Sequence, residues 1–142
     1  MKRLLALDIG DKTIGIAASD LLGLTAQGVE IIKRTSLQND LARLDTLITE
    51  YAADTLILGY PKNMNGTEGE RCEIVKEFSE VLNEHFPRLE LIFWDERLST
   101  MGAEKTLLEA DLSRRKRKKV IDKMAAQWIL QGYLDSNRNS LK

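Results

Sequence analysis

Four acidic residues stand where an ionised side chain is costly unless water, a cation or a metal answers it. Asp8 closes the run Arg3–Ile9, which is apolar on both faces and suits a central, doubly covered strand. Asp95 and Glu96 close a second apolar run, directly after Leu91-Ile-Phe-Trp94. In open α/β sheets, ligands gather outside the carboxyl ends of strands, and both positions are such ends. Asp122 lies on a C-terminal helix, where its angular position falls at the flank of the apolar stripe beside Ala125 and Ile129.

Carboxylates converging from separate elements repel one another unless a cation neutralises them. Their hard oxygens suit Mg²⁺ or Mn²⁺. A pair of such ions about 3.5–4 Å apart activates water and stabilises the leaving oxygen in phosphodiester cleavage. The expected catalytic set is therefore Asp8, Asp95, Glu96 and Asp122. Asp8, Glu96 and Asp122 are the expected metal ligands. Asp95 and Glu96 would face opposite sides if the strand continued through both, and Glu96 is the favoured ligand. The alternative for Asp8 and Asp122 is a structural role, as caps or as ion-pair partners of Lys12 or Arg97.

Composition narrows the chemistry further. Cys72 is the only cysteine and His85 the only histidine among 142 residues. An intrachain disulfide, a Cys/His zinc cage, and Ser-His-Asp or Cys-His catalysis are all left without residues. Cys72 reads as a small hydrophobe, and His85 as the end of a helix before Pro87. Net charge is only −1, but the segment from Ser113 to Lys123 holds seven cations against Asp122 alone. The rest of the chain is correspondingly acidic. Arg114, Arg115, Lys116, Arg117, Lys118 and Lys119 form a strip suited to a nucleic-acid backbone, because clustered cations release counterions on meeting phosphates. Lys12 and Arg97 are further candidates for backbone contact. No aromatic stacking platform is evident, so substrate selection is expected to rest on shape. The loop from Gly59 to Gly69 offers amides and hydroxyls for a phosphate, although its composition is also that of an ordinary turn.

The elements that must position these groups follow from periodicity. Strands are expected over Arg3–Ile9, Thr13–Ser19, Gly28–Lys33, Thr55–Gly59 and Leu89–Trp94. Leu37, Leu41, Leu44, Ile48 and Tyr51 keep helical spacing behind Ser36 as N-cap. Ile74, Phe78, Val81 and Leu82 mark a second helix. Residues 100–108 are expected to be helical, the basic strip to be loop or frayed helix, and Ile121–Leu134 to be the last helix, with Ile121, Met124, Ala125, Trp128 and Ile129 inward. An early hairpin followed by alternating strands and helices means an α/β fold: one domain, residues 1–142, with a mixed five-stranded sheet, its first strand central, and helices on both faces. There is no long apolar stretch for a membrane. The apolar start is interrupted by Asp8 without a signal-peptide cleavage site, so a cytoplasmic protein is expected.

The chain resembles the YqgF-like family of pre-16S rRNA nucleases and Holliday-junction-resolvase-like proteins. Four blocks carry the resemblance: Leu-Asp8-Ile-Gly-Asp-Lys-Thr-Ile-Gly-Ile-Ala-Ala-Ser-Asp20; Gly59-Tyr-Pro with Asn65-Gly-Thr67; Asp95-Glu-Arg-Leu-Ser-Thr100; and Ile121-Asp-Lys-Met-Ala-Ala-Gln-Trp-Ile-Leu-Gln131. The resemblance implies a ribonuclease-H-like fold with acidic positions at Asp8, Asp95-Glu96 and Asp122. It also implies a hydrolase that processes the 5′ end of the 16S rRNA precursor, with the ribosome as a further partner. Related resolvases suggest branched DNA as an alternative substrate, and a non-catalytic RNA-binding ribosome assembly factor is the third reading. Members often carry a basic residue where this chain has Thr13.

Overall fold

The computed structural model describes residues 3–63, 65–98 and 113–140, without the side chains of 114, 117–119, 122 and 138–140. Its elements are β1 (Leu4–Ile9), β2 (Thr13–Ser19), β3 (Ala26–Lys33), α1 (Leu37–Glu50), β4 (Thr55–Tyr60), α2 (Glu70–His85), β5 (Glu90–Asp95), a 3-10 turn (Glu96–Leu98) and α3 (Arg114–Ser140). The expected helix over residues 100–108 lies outside the described residues.

The strands form one mixed sheet in the order β3-β2-β1-β4-β5. β1 is central, antiparallel to β2 and parallel to β4, and β4 is parallel to β5. A strand with hydrogen-bonded neighbours on both sides and helices on both faces must be apolar throughout, and Leu5, Ala6 and Leu7 are fully buried.

The two faces are built differently. On one, Leu5, Leu7, Ile9, Ile14, Ile16, Leu56 and Leu58 pack against α1 and α2 through Leu41, Leu44, Leu47, Ile48, Val75, Phe78 and Leu82. On the other, the sheet offers smaller residues, Ala6, Ala17 and Ala26 with Ile57, to Ala126, Ile129, Leu130 and Leu134 of α3. Small side chains let α3 lie close to the sheet. A Cβ at Gly28 would already touch the Gln127 side chain at 3.6 Å. The expected inward residues Ala125, Trp128 and Ile129 are buried, Met124 and Ile121 are half-buried, and Ala126, Leu130 and Leu134 join the core.

Local signals act where expected. Ser36 caps α1, its side chain accepting from the Asn39 amide at 3.1 Å. Cys72 is buried in the core and His85 ends α2. One expectation is overturned. The basic strip is neither loop nor frayed end but the first turns of α3, which begins at Arg114. Arg and Lys are good helix formers, no Gly or Pro interrupts them, and helix propensity outweighs their mutual repulsion in water. β3 also starts earlier, at Ala26, because its pairing with β2 runs on to Ser19; the Ala26 amide donates to Gln131 of α3 at 2.9 Å.

Candidate active site

The carboxyl ends of β1, β4 and β5 lie side by side and carry Asp8, Gly59-Tyr60 and Asp95. Strand alternation decides what each presents. On β1, Ala6 packs toward α3 and Leu7 toward α1 and α2, so Asp8 faces α3. On β5, Trp94 belongs to the α3 side, whereas Asp95 lines a cavity on the opposite face with Tyr60. The strand ends at Asp95, and Glu96 opens the 3-10 turn. Its carboxylate nevertheless returns to the α3 side: Oε1 lies 2.9 Å from where a Cβ on Gly59 would stand, beside Ile129 of α3. Gly59 follows Leu58, which pairs with Leu7, so the Glu96 carboxylate sits over the β4 position next to Asp8. Two carboxylates from separate elements, from the strand ends on either side of β4, thus share one face, that of the helix that carries Asp122.

Asp8 is held from the other side. Arg71, in the first turn of α2, brings Nη2 to 3.4 Å from Asp8 Oδ1 and donates to the Ile9 carbonyl at the same distance. Among the described residues the cation beside Asp8 is thus Arg71, not the Lys12 or Arg97 expected from sequence. Arg97 is engaged with Asp95, Nη2 to Oδ2 at 2.7 Å, and the Arg97 amide also donates to Asp95 Oδ1. These bonds hold the Asp95 carboxyl below the usual range, with the Arg97 guanidinium the largest cause.

Sequence reasoning missed Arg71 and the role of Gly59. The signal for Arg71 was its place: a cation two residues beyond Gly69, where the connection from β4 enters a helix near the strand ends. The turn carrying Asp8 is braced as well. Arg34 donates to the Gly10 carbonyl at 2.8 Å and pairs with buried Asp40 at 3.1 Å. The loop between β4 and α2 is closed on itself: the Asn63 amide donates to the Thr67 carbonyl, and Thr67 Oγ1 to Asn65 Oδ1 at 2.6 Å.

Among the described residues no three His, Cys, Asp or Glu side chains form a metal-holding group. Asp8 and Glu96 supply hard oxygen donors from two elements, a set that fits Mg²⁺ or Mn²⁺. Arg115 and Lys116 of the basic strip are exposed to solvent. No helix among the described residues is long and apolar enough to cross a membrane.

A mixed five-stranded sheet of this order with helices on both faces is the ribonuclease-H-like fold. The fold matches Thermus thermophilus RuvC in complex with a Holliday junction substrate, with a TM-score of 0.57 at 14% identity, covering 96% of this chain and 97% of that one. The RuvX family, described as Holliday junction resolvase, matches residues 2–136, and the chain belongs to that family. It is a nuclease, a hydrolase of phosphodiester bonds that takes nucleic acid as its partner. A protein of Clostridium tetani named "Putative pre-16S rRNA nuclease" is 54% identical over 137 residues, 96% of this chain and 99% of that protein. One of Desulforamulus reducens with the same name is 57% identical over 134 residues, 94% of this chain and 97% of that protein.

Proposed function

We propose that this chain, acting as one domain over residues 1–142, is a cytoplasmic nuclease that processes the 5′ end of the 16S rRNA precursor, in contact with the ribosomal particle. The observation that carries the cleavage chemistry is the shared face of Asp8 and Glu96 at the strand ends on either side of β4. Relatives named for pre-16S rRNA at more than half identity support the substrate.

Asp8, Glu96 and Asp122 are the residues that would hold divalent metal, Mg²⁺ or Mn²⁺. When bound, the metal supplies an activated water and charge neutralisation at the phosphate. The protein's own groups orient and exclude. Gly59 leaves room for the Glu96 carboxylate, and Arg71 and the Arg34-Asp40 pair steady the Asp8 turn. Asp95, turned to the other face, acts by fixing Arg97 and the turn behind Glu96. The strip Arg114, Arg115, Lys116, Arg117, Lys118 and Lys119, with Lys12, grips backbone. The strip runs along the first turns of α3, where the helix dipole adds to its attraction for phosphate.

Cleavage of a labelled 16S precursor fragment with Mg²⁺ or Mn²⁺, beside Asp8→Asn, tests the reading. Metal-dependent cutting lost in the variant is the expected result, and full activity in the variant would remove Asp8 from the site. The family's description favours a second reading, resolution of branched DNA. A four-way DNA junction in the same panel separates the two by which substrate is cut faster.

A further inference from the structure

The face of the sheet opposite the candidate carboxylates carries a cavity of about 340 Å³, lined by Tyr60, Lys62, Glu68, Lys76, Phe93 and Asp95. Its volume is at the lower end of the range for ligand pockets, roughly 300–1,000 Å³. That is room on the scale of one nucleotide.

Its aromatic wall is unusual for this sheet. Leu58, the register partner of Phe93, is fully buried, and Leu91 packs on the core, yet Phe93 is 47% exposed on the edge strand β5. Packing does not require a large ring there. Tyr60 and Phe93 pack T-shaped, with centroids 5.3 Å apart, and nearly half of the Phe93 surface stays open to another partner. Tyr60 itself is fixed: its hydroxyl donates to Glu68 at 2.6 Å, and Lys76 pairs with the same carboxylate at 2.8 Å. Asp95 is occupied by Arg97. Lys62 stands over the Tyr60 ring at 6.0 Å and makes no ion pair among the described residues. The cavity thus presents one exposed aromatic ring and, in Lys62, a cation that forms no ion pair among the described residues although it lies near the Glu68 and Asp95 carboxylates.

We propose that this cavity receives a single unpaired nucleotide of the substrate strand, its base stacked on Phe93 and its phosphate at Lys62. The inference rests on the nuclease reading and deepens it. Asp95 lines the cavity, and the next residue, Glu96, faces the cleavage site, so a strand passing over the end of β5 reaches both. The preferred substrate is then a duplex joined to single strand, with the cut near the junction. The sequence by itself makes no stacking platform evident, because an isolated Phe in a strand carries no such signal until its exposure is known.

The test is binding without cleavage, in chelator, using two labelled RNAs: a blunt duplex, and the same duplex with a single-stranded extension carrying 2-aminopurine. Base stacking is worth about 1–3 kcal/mol, so Phe93→Leu is expected to weaken the extended RNA by roughly 5- to 150-fold. It should leave the blunt duplex unchanged and abolish 2-aminopurine quenching. Lys62→Gln is expected to lower the salt slope for the extended RNA by about 0.7. Circular dichroism confirms that both variants fold. Equal weakening of both RNAs, or no change in either, overturns the cavity's role while the nuclease reading stands. Failure of the wild type to bind either RNA overturns both. Displacement of the extended RNA by micromolar adenosine monophosphate would assign the cavity to a free nucleotide and overturn the strand reading.

Discussion

The carboxylate of Glu96 fills the space that a side chain on Gly59 would need, with Oε1 2.9 Å from an ideal Cβ position and Ile129 pressing from α3. A missing side chain on β4 thereby sets where a carboxylate from β5 comes to rest beside β1. Gly59→Ala is expected to destabilise the fold by about 1–3 kcal/mol through overpacking. It should also cut cleavage at least tenfold while substrate binding persists. Thermal unfolding and single-turnover cleavage check the two parts, and a variant with normal rate would disconnect Gly59 from the site.

The opposite facing of Asp95 and Glu96 separates their substitutions. Glu96→Gln is expected to reduce cleavage by 10²-fold or more, on the scale of about 2.7 kcal/mol or greater in barrier. Asp95→Asn should keep cleavage within a few-fold and act mainly on stability at the turn. Rates for both variants at saturating metal decide the assignment, and the reverse order would make Asp95 the ligand.

Asp40 is almost fully buried and its charge is answered by Arg34, which also holds the Gly10 carbonyl. Removing one partner of a buried pair costs about 3–5 kcal/mol, because the other charge is left uncompensated. Asp40→Ala is accordingly expected to lower stability toward that range, less the relief Arg34 finds at its partly exposed end. Urea unfolding measures it. A change below about 1 kcal/mol would show the pair to be dispensable.

Tyr60 is pushed up to about 12 by burial, reinforced by its bond to Glu68. Its folded value lies above the ordinary phenol value near 10. The neutral phenol is thus favoured in the folded state, and its stabilising contribution is complete below pH 10. That contribution fades as pH rises from about 10 to 12. Tyr60→Phe should flatten this alkaline loss of stability relative to wild type. Parallel alkaline transitions in the two proteins would show that the hydroxyl does not govern it.

The exposed Arg115 and Lys116 on α3 are expected to act on affinity rather than chemistry. Each replaced by Gln should lower the salt slope for duplex binding by about 0.9 and weaken binding evenly across sequences. Loss of rate at saturating substrate, with the slope unchanged, would count against a backbone clamp.

Much of this was legible in the chain itself. The double apolar run before Asp8, the period-3.6 stripe behind Ser36 and the absence of a usable histidine pair are local or compositional facts. They determined a central strand and an amphipathic helix, and left carboxylates as the candidates for chemistry. Alternation would have separated Asp95 from Glu96 had the strand run on, but β5 ends at Asp95 and the turn places Glu96. The tertiary structure decided which of the two shares a face with Asp8, because facing between separate strands depends on pairing register, a non-local property. It also decided that Gly59 makes room for Glu96, that Arg71 reaches Asp8 across a connection from β4, and that Phe93 is open while Leu58 beside it is sealed. Each of these is a contact between residues distant in sequence, set by which elements pack together, and no local pattern encodes it.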